Sequence, residues 1–336
     1  MNPRGEFGWI ERLLEVLGPA AGTGGRIAAG DDVAAIEGPG GETWAWTADT
    51  LVEGVHFRFD WLDSEAVGHR ALAASLSDLA AAIAEPIGVL VTATGSRPAF
   101  EERLEGVYRG IRDLAIRSSC PVLGGDLSRS DGPLHLTVTA LGRCARGAPP
   151  GRGGAKPGDE VWVTGALGAP AAAVELLTRA GSDPGRLAAA RVHPAVRRLA
   201  YPEPRVEEIG WLADRAPLDA LIDVSDGISS DLAHIADRSG VRIAIETGSL
   251  PVHADALDVA TRIGADAGLW ALHGGEEFEI AACAPRGSIA PHVAQFESRF
   301  DIPLTRIGSV EDGRGIVGRL DGAESSIERA GWDHFR

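Results

Sequence analysis

An α/β chain in two domains is what the sequence predicts, on three observations. Apolar strand-like runs alternate with helix-periodic runs through the second half, the pattern of a sheet flanked by helices. The 336 residues match two domains at roughly 100 to 200 residues each. A stretch over 143–158, dense in Gly and Pro and nearly empty of large apolar side chains, divides the halves. The expected domains are therefore 1–148 and 149–336.

The elements follow in order. Trp9, Ile10, Leu13, Leu14 and Leu17 are spaced to give 6–17 one apolar helical face that packs. Strands are expected over 33–36 and 43–48, joined by the turn-forming run at 38–41. Ser64 is placed to cap a long helix through Leu72, Leu76 and Leu79 to about Ala84, with Pro86 as its stop. A strand over 88–94, a helix over 99–117 and strands over 121–123 and 134–141 complete the first half. Beyond the seam, strands over 161–164, 221–224, 241–245 and 278–282 alternate with helices over 169–180, 206–215, 228–239 and 254–263.

Composition excludes several classes. With 44% hydrophobic and 24% charged residues and 3 Cys, the chain is neither disordered, collagenous nor a disulfide-stapled miniprotein. A formal charge of −16 argues against a surface that tracks nucleic-acid phosphates. The single lysine, Lys156, lies outside any GxxxxGK[ST] pattern, so nucleotide handling would not use a Walker A loop. Cys120, Cys144 and Cys283 are too dispersed for a zinc site or a disulfide framework, which fits a reducing cytoplasm. The first residues mix charges into apolar positions unlike a signal peptide, and no run of about 18 apolar residues predicts a membrane span.

Five acidic segments share one design, an aspartate at the end of an apolar strand or among small residues that admit a ligand. They are Gly30-Asp31-Asp32, Thr47-Ala48-Asp49, Leu76-Ser77-Asp78, Gly124-Gly125-Asp126 and Asp223-Val224-Ser225-Asp226-Gly227. Any one of these is ordinarily a solvated or turn carboxylate. If several converge, repulsion in a cleft raises their pKa values or unfolds the site unless bound cations compensate, and hard oxygen donors select Mg²⁺, which commonly brings substrate phosphates with it. Glycine neighbours let backbone N–H groups approach those phosphates, and the strand-to-helix junction at Asp223–Gly227 aims a helix start at the same place.

The positive and aromatic candidates are fewer. Arg152, in a Gly-rich stretch beside Lys156, is placed to close over a phosphate chain, unless it is only a solvated linker charge. His56 follows an acidic strand, where a half-buried structural histidine is the plainer reading. Glu276 and Glu277 follow Gly274-Gly275, where a turn is the plainer one. Trp332 is either a tail anchor or one wall of a ring-binding slot.

Taken in order, GDDVAAI, TADTLVEGVHF, ALAASLSDLAA, GGDLSRS, RGGAKPGDEVWVTG, IDVSDGISSDLAHI, HGGEEFE and GWDHF resemble the thiamine-monophosphate kinases, within the aminoimidazole-ribonucleotide synthetase-like superfamily. The resemblance runs from about Gly5 to Phe335. It implies a two-domain α/β (α+β) fold whose N-terminal mixed sheet with helices pairs in a homodimer and whose C-terminal α/β domain closes the active site. The implied reaction is ATP-dependent phosphorylation of thiamine monophosphate to thiamine diphosphate. Carried over by motif, Asp32, Thr47, Asp49, Asp78, Asp126, Asp223 and Asp226 hold several Mg²⁺ ions, with Ala48 able to contribute only through its backbone. Gly125, Asp126, Arg152 and Ser225 contact ATP, Tyr108 meets its base, and His56, Glu276 and Trp332 face thiamine monophosphate. Asp49, Asp126 and Arg152 are the residues expected to carry catalysis.

The chain departs from the family pattern at four places: Ala48 for Ser or Thr, Ser75 for Asn, Ile83 for Gly and Glu277 for Asp. The Ser75 and Ile83 exchanges question the close backbone packing after Asp78. Alternative readings are another ATP-dependent synthetase of the superfamily and a non-catalytic nucleotide-binding homologue. A selenide-dependent synthetase is disfavoured because no cysteine precedes Cys120.

Overall fold

The computed structural model describes residues 5–18, 30–38, 40–144, 147–327 and 331–332. Helix α1 (Gly5–Leu17) leads to β1 (Ala34–Glu37), β2 (Thr43–Val52), α2 (Ser64–Ala81) and β3 (Glu85–Gly95). A short turn α3 (Arg97–Ala99) and a π-turn at Phe100–Leu104 then feed α4 (Glu105–Arg117), followed by β4 (Val122–Arg129) and β5 (His135–Cys144). These strands form a sheet in the order β1-β2-β5-β3-β4, antiparallel except for the β3–β4 pair. Leu13 and Leu17 of α1 remain exposed, so the expected packing face is only partly used.

The second half holds β6 (Glu160–Thr164), α5 (Ala169–Ala180), α6 (Pro184–Arg191), α7 (Pro194–Ala200), α8 (Val206–Ala213), β7 (Ala220–Asp223), α9 (Ile228–Ser239) and β8 (Arg242–Glu246). It ends with α10 (Ala254–Ile263), α11 (Ala267–His273), β9 (Ile280–Ala284), α12 (Val293–Phe300), β10 (Leu304–Glu311), β11 (Gly315–Leu320) and β12 (Ala323–Ser326). Its strands form a second mixed sheet in the order β12-β11-β8-β10-β6-β9-β7. Among the described residues no helix is long and apolar enough to cross a membrane.

Helix α2 organises the molecule. It is buried on nearly every side, as expected of a helix without a distinct polar face. The first sheet, α4 and β7 all pack against it. The crossing with α4 is so close that a Cβ on Gly68 would lie 1.8 Å from the Val107 carbonyl oxygen and one on Gly110 1.9 Å from that of Glu65. Only glycine permits this approach.

Both ends of α2 correct the sequence reading. Asp63, not Ser64, is the N-cap, its carboxylate accepting from the Ala66 N–H at 2.8 Å. At the other end Ile83 N–H donates to the Ala80 carbonyl and Ala84 N–H to that of Leu79, the paired bonds of a Schellman stop. Pro86 plays no part in it, because it already belongs to β3. The stop puts Ile83 at φ +50°, a left-handed position that glycine adopts freely and a β-branched side chain does not. Close packing after Asp78 is thus kept, with Ile83 under strain.

The expected strand over 121–123 instead runs to Arg129, so Gly124-Gly125-Asp126 lie inside β4 rather than beyond its end. The helices α6, α7, α11 and α12 and the strands β10 to β12 were not read from the sequence. Most are short, and Gly or Pro interrupts their periodicity.

Candidate active site

Alternation along β2 turns Thr47 and Asp49 toward α2. Thr47 Oγ1 donates to Asp78 Oδ2, and Ser75 Oγ donates to Asp49 Oδ2 at 2.8 Å. From the second half, β7 ends on Asp223, whose Oδ2 accepts from Ser77 Oγ at 2.8 Å. The segment at Gly30–Asp32 supplies a further carboxylate. Asp32, Asp78 and Asp223 each present an oxygen within 4.8 Å of the others, and Asp49 adjoins Asp78.

Burial and mutual repulsion dominate the electrostatics. Asp32 is pushed up to about 6 by burial, with Arg152 opposing and Asp31 adding. Burial, then the charges of Asp49, Asp223 and Asp32, holds Asp78 well above the usual carboxylate range. Asp223 is raised likewise by burial and then by Asp32, and Asp49 by burial. A pocket that crowds buried carboxylates and lines them with hydroxyls is chemically suited to hard divalent cations, and an all-oxygen donor set fits Mg²⁺.

Arg152 occupies one edge of this crowd. Its guanidinium pairs with Asp32, and its backbone N–H donates to Asp31 Oδ2 at 3.0 Å. It is therefore docked rather than waving in a linker, while Lys156 points away to Asp219 at 3.0 Å.

The carboxylates open into a cavity of 1140 Å³. Along α2, Arg70, Ala74 and Asp78 line it as one stripe at i, i+4 and i+8. His56, Ser225, Asp226, Glu276 and Trp332 line it too. His56 Nδ1 accepts from the Val52 N–H at 2.9 Å, which leaves its proton on Nε2 in the neutral ring. Trp332, 57% exposed, is tied by its backbone N–H to the Asp226 carbonyl at 3.3 Å. The remaining residues of the GWDHF motif, 333–335, lie outside the described residues.

The glycine-rich segment before β9 is a tightly held turn. Glu276 and Phe278 both have positive φ, +64° and +52°, conformations costing on the order of 1–3 kcal/mol each. Bonds from Glu276 N–H to the Ser225 carbonyl at 2.7 Å and from Phe278 N–H to that of Val224 at 3.0 Å hold it. Glu277 reaches the start of α5, where it accepts from the Gly168 N–H. The longer acid at this position thus has a structural task.

Three expected ligand residues stand apart. Asp126 is exposed on β4, accepting from Ser128 Oγ at 2.8 Å, and neither it nor Gly125 lines the cavity. β4 is separated from β2 by β3 and β5, so Asp126 and Asp49 are three strand spacings apart, ~14 Å. Within one chain these two are too far apart to share an ion, so Asp126 stands outside the group formed by Asp32, Asp49, Asp78 and Asp223. Tyr108 lies with Ile111, Pro121 and Val122 around a separate depression on the same side as β4.

Sequence reasoning missed Arg70, Ser77, Asp231 and the cavity walls Trp61 and Trp270. Arg70 was recoverable, being two helical steps of four before Asp78. Asp231 is buried in the first turn of α9 and accepts from the Gly227 N–H at 3.0 Å, bracing the turn that carries Ser225 and Asp226.

Comparison with known proteins places the chain among relatives of similar sequence and fold. Residues 30–144 match the family described as AIR synthase related protein, N-terminal domain. Thiamine-monophosphate kinase of Escherichia coli (strain K12) is 34% identical, with 98% of each chain covered. The Bacillus subtilis (strain 168) enzyme of that name is 31% identical over 92% of this chain and 94% of its own. Among solved structures, AaThiL complexed with AMPPCP and TMP is similar at TM-score 0.81 and 30% identity, covering 98% of this chain and 97% of that one. Hydrogenase maturation protein HypE in complex with ATP, at 18% identity and TM-score 0.69 over 95% of this chain and 94% of its own, shares the fold. With relatives above 30% identity along nearly the whole length, the chain belongs to the thiamine-monophosphate kinase family.

Proposed function

We propose that this chain transfers the γ-phosphoryl group of ATP to the phosphate of thiamine monophosphate, giving thiamine diphosphate and ADP, in line and without a phosphoenzyme. The observation that carries this reading is the meeting of Asp32, Asp78 and Asp223, with Asp49 alongside, on a cavity also lined by His56, Glu276 and Trp332. The full-length match to kinases of this name supports the substrate assignment.

The acceptor is a phosphate oxygen, largely ionised at neutral pH with a second pKa of about 6, so little general-base help is needed. One P–O bond forms to the acceptor oxygen while the bond from Pγ to the departing ADP oxygen breaks. What remains is to align two anions and neutralise their charge. Asp32, Thr47, Asp49, Asp78, Asp223 and Asp226 are the residues that would hold Mg²⁺, with Ala48 offering its carbonyl. Bound there, such ions would neutralise phosphate charge. Arg152 adds a fixed positive charge, Ser225 and the start of α9 offer donors to phosphate oxygens, and His56 lines the cavity beside them. Trp332 supplies a flat apolar wall for the thiamine rings, and Glu276 an acceptor for their polar edge.

Asp126, Gly125 and Tyr108 enter this reading through a homodimer. β4 is exposed along its length, and Leu123 and Leu127 lie open on it. A second copy pairing through its N-terminal half brings its own Asp126 to the cluster of the first. In this reading, 1–148 holds most of the metal ligands and the dimer contact, and 149–336 adds Asp223 and Asp226 and closes over the substrates. A cytoplasmic setting belongs to the same reading, since Cys120, Cys144 and Cys283 are free and buried.

The deciding experiment incubates the protein with ATP, Mg²⁺ and a panel of phosphorylated acceptors, read by mass. Thiamine monophosphate should gain one phosphoryl group; gain by a different acceptor, or ADP release with no phosphorylated product, overturns the assignment.

A further inference from the structure

We propose that Arg70 is a positioning residue for the acceptor, clasping the two walls of the thiamine phosphate pocket at a fixed reach from the carboxylate cluster. The inference rests on the reaction proposed above. Arg70 is 1% exposed, and it is the largest fully buried side chain among the described residues. Desolvating a guanidinium is expensive, and an apolar side chain of similar volume stabilises a core equally well or better. Its presence therefore calls for a task that charge and direction perform.

The bonds it makes define that task. Nη1 donates to the Leu199 carbonyl near the end of α7, and Nη2 donates to the Glu276 carboxylate and to the His56 carbonyl at 3.3 Å. Thus one fork from the first half grips two segments of the second half and the loop bearing His56. The strained backbone of Glu276, at φ +64°, is held by its own bond to the Ser225 carbonyl, whereas its carboxylate is held by Arg70. Arg70 also sits eight residues before Asp78 on α2, which sets the anchor ~12 Å along one rigid helix from the metal-binding carboxylate. Acceptor pocket and cluster are thereby registered by a single element. A lysine cannot reproduce a fork that meets three acceptors.

The test compares Arg70→Met, Arg70→Lys, Glu276→Gln and the Arg70→Met/Glu276→Gln double variant in steady-state kinetics, with thermal melts alongside. Arg70→Met should lose about 10- to 100-fold in kcat/KM for thiamine monophosphate, the scale of a small misplacement of a reactant, while KM for ATP stays within about twofold. Arg70→Lys should fall between, and the double variant should be no worse than Arg70→Met by more than about twofold, because both changes break one unit. Parallel losses for both substrates, additive losses in the double variant, or an unchanged response to thiamine monophosphate would overturn the proposal. If Arg70→Met does not fold, Arg70→Lys and Glu276→Gln carry the same comparison. Should the wild-type chain prefer another acceptor, the kinase reading fails while the Arg70 comparison is repeated with that acceptor.

Discussion

Ser77 on α2 donates its hydroxyl to Oδ2 of Asp223 at the end of β7 at 2.8 Å, although the two residues are 146 positions apart. Asp223 is buried, and this bond is one of the influences that oppose the rise of its pKa. Removing it should make the ionised carboxylate harder to maintain. Ser77→Ala is expected to weaken the Mg²⁺ requirement curve by about 10- to 100-fold, the usual effect of losing a group that orients a metal ligand. Titrating turnover against Mg²⁺ checks this; an unchanged half-saturating concentration would show that Ser77 serves packing alone.

Asp78 has the opposite balance between stability and activity. Its carboxylate is raised by burial and by three other aspartates, so in metal-free protein it opposes folding whenever it is charged. Asp78→Asn should lower turnover by at least about 10³-fold. In EDTA near pH 8 the same variant should melt at a higher temperature than wild type. A lower melting temperature under those conditions would mean that the cluster is stabilised by something other than metal.

Stability should depend on pH in a direction set by the same groups. Asp32 has its folded pKa raised from 3.8 to about 6, so it binds its proton more tightly in the folded state. Its contribution is fully present below about pH 4 and is lost as pH rises through about 6. Asp78 and Asp223, shifted upward as well, extend the loss to higher pH. Metal-free protein should therefore lose melting temperature from this source between pH 5 and 8, and added Mg²⁺ should restore most of it while releasing protons. Melts across that range with EDTA or Mg²⁺ test the sign directly.

Trp332 offers a simpler readout. Its ring is largely exposed and its backbone is anchored to the Asp226 carbonyl, so truncation should leave the fold intact. Trp332→Ala is expected to raise KM for thiamine monophosphate by about tenfold, in line with about 1–3 kcal/mol for ring stacking, with kcat little changed. Equal KM values for variant and wild type would assign Trp332 to tail anchoring.

Most of the cluster was legible in the sequence because aspartate after a short apolar run, or beside glycine and serine, is a local pattern. Asp32, Asp49, Asp78 and Asp223 carry that pattern and do meet. Asp126 carries it too and does not, because strand order rather than local sequence decides distance, and β4 falls at the far edge of its sheet. Arg70 was overlooked for a related reason. A basic residue in an Ala- and Leu-rich helix reads as a solvated face, and only the packing of both sheets around α2 shows that the helix has none. The helix stop at Ile83 was misread because a Schellman turn normally advertises itself by glycine.

The position of Asp126 yields the sharpest test of how the site is assembled. Asp49→Asn and Asp126→Asn should each abolish turnover in a pure homodimer. If a second copy supplies Asp126, mixing the two inactive variants and allowing subunits to exchange creates heterodimers in which one site is doubly impaired and the other is intact. Activity should then reappear, approaching about one quarter of wild type when equal amounts exchange at random: half the dimers are mixed, and half of their sites are whole. If Asp126 instead acts within its own chain, every site in every mixture carries one lesion, and no activity returns. Recovery on mixing would therefore place β4 of one copy beside β2 of the other, whereas a mixture that exchanges subunits and stays inactive would remove Asp126 from the shared site.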